Sequence, residues 1–224
     1  MAVTLNKIVY DILNIASRGQ QSDDFPISVR QCEIWVHELR AKLISQAISK
    51  KGDILDNWVQ HINCLDLETV DAAECCEIDT ECTILKSVQQ LPSYLEVISV
   101  RDITNKLSFT PTNLFRAKYV SGNKYTANRP RYYMKNQYLY IINNDVLEKV
   151  SLSAVFEDPT ELSSFTDCTN STCYNSDMQY PVNLKMATDI VDIILRTKVI
   201  PALQMPSDNT NDANNTNQQA PNIK

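Results

Sequence analysis

Glycine is almost missing from this chain: three in 224 residues, at Gly19, Gly52 and Gly122, each isolated. Phosphate-cradling loops and dinucleotide fingerprints need closely spaced glycines, so neither motif exists here. Histidine is scarcer still, with His37 and His61 alone. There is no H-E-x-x-H helix and no G-x-S-x-G elbow, which removes the commonest zinc-protease and serine-hydrolase signatures. No run approaches eighteen uninterrupted apolar residues, so no membrane span is expected. The opening MAVTLNKIVYDILNIASRGQQ is broken by Asn6, Lys7, Asp11 and Asn14 and lacks the continuous apolar core of a secretory signal.

What is present describes an ordinary folded protein. Apolar residues make up 43% and charged residues 21%, a balance that supports a core rather than disorder. The length allows one large domain, or a compact domain with an appendage. A net charge of −6 argues against general nucleic-acid affinity, although local patches still count.

Seven cysteines are the most chemical-looking feature, and AECCEIDTEC (73–82) holds Cys75, Cys76 and Cys82. A closed zinc site wants two close ligand pairs such as C-x2-C. Here Cys64 stands eleven residues before Cys75, and neighbours such as Cys75 and Cys76 point to opposite faces of a strand. A cysteine nucleophile wants an electropositive setting, whereas Glu74, Glu77, Asp79 and Glu81 raise the thiol pKa. These cysteines therefore read as small apolar residues in a loop or strand edge. An odd number without a signal peptide reads as reduced thiols in a cytosolic setting, and the sequons at Asn170 and Asn214 as chance. Cys168 and Cys173 are spaced for a small loop. No metal and no cofactor is expected, and no enzyme. The enzymatic alternative is a cysteine hydrolase using Cys75 or Cys76 with His61.

Periodicity divides the chain. Leu5, Ile8, Val9, Ile12, Leu13 and Ala16 predict an amphipathic helix with Thr4 as N-cap and Gly19 as its stop. A longer helix should begin at Ser28, with a stripe of Cys32, Trp35, Val36, Leu39, Leu43 and Ala47, and end near Gly52. His37, off the centre of that stripe, reads as solvated or partner-bonded. From 58 to 157 the rhythm turns to short Tyr- and Val-rich runs: RYYMK, QYLYII and KVSLSAVF read as an antiparallel meander ended by Pro159. QQLPSYLEVISV reads as a connection feeding another strand. Helix returns after Asn183 with Met186, Ile190, Ile193, Ile194 and Thr197, and Pro201 should stop it. The last 19 residues carry six asparagines and should be disordered alone. The expectation is thus an α+β chain. Residues 1–57 and 182–205 form a helical bundle, 58–181 a central antiparallel β-rich domain, and 206–224 a tail that is flexible or ordered only on assembly.

Charge is distributed unevenly. Between Ile103 and Asn144 there is no Asp or Glu, while Lys106, Arg116, Lys118, Lys124, Arg129, Arg131 and Lys135 give the block +7. Set against a total of −6, the rest of the chain is left at −13. Tyr119, Tyr125, Tyr132, Tyr133, Tyr138 and Tyr140 are interleaved with the cations. Three readings stay open: a nucleic-acid surface, a contact with an acidic face of a neighbouring copy, or a plain solvated surface.

Four stretches carry a resemblance: KSVQQLPSYLEVISV (86–100), YLYIINN (138–144), SAVFEDPTEL (153–162) and CYNSDMQYPVNLKMATDIVDIIL (173–195). Together they span about half of the chain, which resembles the ring, or head-to-tail connector, proteins in the neck of crAss-like podoviruses of Bacteroidota. More remotely, it is similar to the tail-tube adaptors of short-tailed phages. The resemblance implies a structural virion protein assembled in the host cytoplasm. Many copies, usually twelve, would form a ring beneath the portal protein and beside other neck or tail rings. Genomic DNA would pass through without sequence-specific contacts. Within that picture Lys118, Lys124, Arg129, Arg131 and Lys135 are the candidate subunit or ring interface. The competing binding reading is an adaptor without ring symmetry.

Overall fold

A computed structural model of the chain describes residues 3–20, 25–70, 84–113, 115–116, 129–142 and 146–203. The helices begin and end where side-chain chemistry dictates. Helix α1 (Leu5–Ala16) opens on Thr4, whose hydroxyl accepts the Lys7 N–H at 3.2 Å. It closes through Arg18 and Gly19, both in the left-handed region, with the Gly19 N–H donating to the Asn14 carbonyl. Helix α2 (Val29–Lys51) opens on Ser28 and stops at Gly52, whose φ of +69° suits a residue without a Cβ.

The strands follow as β1 (Gln60–Val70), β2 (Ile84–Ser87), β3 (Tyr94–Asp102), β4 (Thr110–Pro111), β5 (Arg131–Lys135), β6 (Tyr138–Ile142) and β7 (Lys149–Phe156). Pro92 lies in the connection into β3, and Pro159 opens a 3-10 turn (Pro159–Ser164) capped by the Asp158 side chain. Helix α3 (Leu184–Ile194) opens on Asn183, which accepts the Met186 N–H at 2.7 Å. Pro201 does not end the helical path. A π turn (Leu195–Val199) runs straight into α4 (Ile200–Leu203), and Pro201 lies inside α4. The π turn already shifts the hydrogen-bond ladder, with Ile200 N–H bonded to Leu195, so the missing proline N–H costs little there.

The architecture is not the expected helical bundle with a central antiparallel region. It is a seven-stranded mixed sheet, in the order β3-β7-β1-β2-β6-β5-β4, that curls into a nearly closed barrel, with four α-helices among the described residues. Closure comes from residues 102–109. Ser108 bridges to Arg101, the Phe109 N–H bonds Val100, and the chain then enters β4, which runs parallel to β5. Nor do the three local runs form a meander. Strand β5 pairs with β6, but β6 turns to β2, and β7 lies between β1 and β3. Each of the three runs is a strand that its own residues made legible. Its partner was not, because register depends on contacts far away in sequence.

One apolar core joins the barrel interior to the helices. It includes Leu65, Leu85, Val100, Leu139, Ile141 and Leu152 from the strands, and Ile8, Ile12, Val36, Ile190 and Ile194 from the helices. The helices turn their stripes to the sheet as well as to one another. A smaller cluster of Ile44, Trp58 and Val155 fastens the second half of α2 to the outside of β7. Phe156 is fully buried in the main core, and its truncation to alanine should cost about 3–5 kcal/mol.

Candidate assembly surface

The basic block occupies β4, β5, β6 and their connections. Side chains alternate along β5, so Tyr132 turns into the core while Arg131, Tyr133 and Lys135 share the outer face. Register then builds a ladder: Ile84 opposite Ile142 opposite Arg131, Lys86 opposite Tyr140 opposite Tyr133, and Tyr138 opposite Lys135. Tyr133 and Tyr140 stack with centroids 5.0 Å apart and planes 3° from parallel. The Lys86 ammonium sits 4.5 Å from the centroid of Tyr138 and 3.7 Å from the Glu68 carboxylate. Ile84, Tyr133, Tyr140 and Ile142 on this second face are buried in a small cluster of their own, so what reaches solvent there is the partly exposed edge of Lys86, Arg131, Lys135 and Tyr138.

Of the candidate interface residues, Arg129 lies exposed just before β5, and Arg131 and Lys135 are its first and last residues. Lys118 and Lys124 fall outside the described residues. Lys106, Arg116, Arg131 and Lys135 make no ion pair among the described residues, and the Nε of Arg131 is buried without a hydrogen-bond partner. Elsewhere Lys149 and Arg196 are paired within the chain, with Asp66 at 3.1 Å and Asp192 at 3.0 Å. Sequence reasoning missed Lys86, whose place on the ladder is signalled only by its alternation with Ile84 and Leu85.

A second polar cluster lies under α2. Arg40 is fully buried and donates to four carbonyls: Phe156 at 2.6 Å, Pro181 at 3.1 Å, Trp58 at 3.3 Å and Glu157 at 3.4 Å. Its guanidinium lies 5.7 Å from the centroid of the Tyr180 ring. His37 Nδ1 is 2.9 Å from the Tyr180 hydroxyl and 3.6 Å from Asp158. Burial holds the His37 pKa below its ordinary value, against the pull of Asp158 and with that of Arg40. Burial likewise pushes Tyr174 up to about 12. These groups tie α2, the end of β7 and the 174–182 segment together.

A polar groove of about 490 Å³ crosses the outside of β1, β7 and β3, lined by Asp56, His61, Asn63, Ser99, Arg101 and Ser153. His61 Nδ1 is 2.8 Å from the Ser153 hydroxyl. Cys75 and Cys76, the other half of the hydrolase alternative, fall outside the described residues, as does Cys82.

The reading of every cysteine as a reduced thiol is corrected at one pair. Cys64 of β1 and Cys168 are joined in a disulfide, with Cα atoms 5.2 Å apart across 104 residues of sequence. No spacing in the sequence singled out this bond; the fold brings the 166–172 turn onto β1. Cys32 is buried, and burial followed by the charge of Glu33 pushes its pKa up to about 11. Cys173 is half-buried and also raised, chiefly by burial. Among the described residues no cluster of three His, Cys, Asp or Glu side chains is arranged to hold a metal. None of their helices is long and apolar enough to cross a membrane.

A barrel on which Lys106, Arg116, Arg131 and Lys135 have no ion pair among the described residues suits a structural component that assembles with other copies. The family model for crAss phage tail ring protein 2 matches residues 7–219, so the chain belongs to the phage tail ring protein 2 family. It is a structural component of a bacteriophage virion, and ring proteins work as oligomers with other tail components. No curated protein matches the chain.

Proposed function

We propose that this protein forms a closed ring in the neck of the virion, between portal and tail, and that its ring extends the channel through which DNA leaves. The ring reading of the family supports an assembly role, and the cations of β5 and its neighbours supply a contact surface. In a heterologous ring each copy presents one face to the next and receives a different face from the one behind. An acid-free stretch of +7 on a chain otherwise at −13 provides two such faces. The ring carries twelve copies, matching a portal above it, and offers a platform for further tail components below. Residues 206–224 act as an arm that docks against a neighbour. DNA passes through the bore without sequence-specific contacts, in keeping with a net charge of −6.

The observation that carries this reading is the family match over nearly the whole chain. Light scattering after size exclusion, with negative-stain microscopy, tests it on the protein alone and mixed with its portal. Closed rings of twelve 25.5 kDa copies, or a ring bound to the portal, are expected. A monomer in both samples would overturn it.

A further inference from the structure

Strand β1 breaks register with β7 between Ile62 and Leu65, so Asn63 and Cys64 sit in a bulge. A small hairpin, residues 165–173, meets the barrel at that bulge. Thr166 bridges to Thr172, the Asp167 N–H bonds Ser171 at 2.8 Å, and the Cys173 N–H bonds Phe165 at 2.9 Å. Phe165 and Tyr174 are buried and root the two arms in the core. The Asp167 carboxylate accepts from the Thr169 hydroxyl and from the N–H groups of Thr169 and Ser171, so the tip holds its own shape. Its covalent tie to β1 is the Cys64–Cys168 bond.

Three sulfurs gather at the backbone of one residue, Asn63. Its carbonyl lies 3.6 Å from the Cys168 sulfur, its N–H hydrogen-bonds the Cys173 thiol, and Cys64 follows it in the chain. Exposure ranks them: Cys168 is exposed, Cys173 half-buried and Cys64 only 9% exposed. In thiol–disulfide exchange the thiol attacks the sulfur it can reach, and the other sulfur leaves. Here the reachable sulfur is that of Cys168, which also shares the hairpin with Cys173. Burial raises the Cys173 pKa, the Asn63 backbone opposes the rise, and Asp167 adds to it. The thiol therefore rests protonated at neutral pH, which lets a bond and its attacker coexist.

We propose that Cys173 is the resolving thiol of the Cys64–Cys168 bond, placed to move Cys168 from β1 to the hairpin by intramolecular exchange. The Cys173 sulfur, once deprotonated, attacks the Cys168 sulfur. The Cys168–Cys173 bond forms, the Cys64–Cys168 bond breaks, and its electron pair leaves on the Cys64 sulfur, which takes up the proton. One disulfide and one thiol stand on each side, so no outside oxidant or reductant enters. The product is a hairpin closed on itself through a C-x4-C loop, instead of a crosslink across 104 residues. The shorter loop costs less entropy to close, which offsets part of the lost tie to β1. The device sets whether the hairpin is fastened to the barrel, and it stands whether or not the chain closes a ring.

Disulfide mapping tests it. The full chain, dilute and in thiol-free buffer, is held folded at about pH 8.5, where a larger share of thiolate drives exchange. It is then pulsed with iodoacetamide, quenched in acid and mapped by tandem mass spectrometry. A Cys168–Cys173 bond with Cys64 alkylated is expected in about a tenth of the molecules or more. Cys173→Ser should show at least about tenfold less alkylation of Cys64, which separates Cys173 as the attacker from the cysteines outside the described residues. A Cys64–Cys168 bond that stays the only one these three cysteines form, or a Cys64–Cys173 bond in place of Cys168–Cys173, would overturn the proposal. So would equal alkylation of Cys64 in the Cys173→Ser chain, or an unmodified chain isolated without the Cys64–Cys168 bond.

Discussion

Arg40 and Arg131 are the same side chain put to opposite uses. Arg40 is fully buried, and its donors reach the carbonyls of Trp58, Phe156, Glu157 and Pro181, so its charge is consumed in joining α2 to the barrel. Arg131 stands partly exposed at the start of β5 with no ion pair among the described residues, on the strand that carries Tyr133 of a stacked tyrosine pair. The first cation holds the subunit together. On the proposed ring reading, the second kind, repeated at Lys106, Arg116 and Lys135, would leave charge for a neighbouring copy. Exposure and the direction of the donors, rather than residue type, separate scaffold from contact surface.

The sharpest way to break this comparison is to remove Arg40. Arg40→Leu strands buried carbonyls without donors and should destabilise the monomer by about 3–5 kcal/mol, lowering its melting temperature by about 10 °C or more. An unchanged melt would show that the cluster is incidental. Opening the Cys64–Cys168 bridge comes next. Cys64→Ser with Cys168→Ser should cost about 2–4 kcal/mol, read as a lower urea midpoint, because it releases a crosslink spanning 104 residues. Equal midpoints for the two proteins under oxidising conditions would contradict the staple.

Reversing the other kind of cation should act on assembly alone. Lys106→Glu with Lys135→Glu should leave the monomer melt within about 1 °C yet raise the half-assembly concentration about tenfold, or about 1.4 kcal/mol. A large loss of monomer stability would place these side chains with Arg40 instead. The smallest effect belongs to His37. Burial depresses its pKa below 6.5, so the unfolded chain takes up the proton first as pH falls. Its contribution is complete above about pH 6.5 and is lost as pH falls through the folded pKa. A shallow decline in the urea midpoint toward about pH 5 is expected, and His37→Phe should flatten it. An unaltered slope in that variant would assign the decline to other groups.

Local chemistry made much of the chain readable. Thr4, Ser28 and Asn183 cap their helices because a short side-chain oxygen satisfies a free N–H, a fact visible in three residues. The runs RYYMK and KVSLSAVF have the same bounds as β5 and β7. What stayed hidden was non-local. Arg40 sits on the buried side of α2 between Val36 and Ile44, where an arginine disguises the stripe it belongs to. The shift of register between Ile62 and Leu65 blurs the alternation of β1, the longest strand. That β7 would lie between β1 and β3 rather than beside β6, and that Cys168 would meet Cys64, depended on contacts between parts of the chain far apart in sequence. The basic surface was legible as composition. Its ladder with Lys86 was not, since β2 reaches β6 only through the sheet.

Electron cryo-microscopy of the intact virion tests the central claim most directly. The account predicts a closed ring of this chain in the neck, with Lys106, Arg116 and Arg131 at the boundary between copies and within ion-pair reach of a neighbour's carboxylates. A ring in which those three side chains face open solvent, or a virion in which the chain forms no ring, would contradict it.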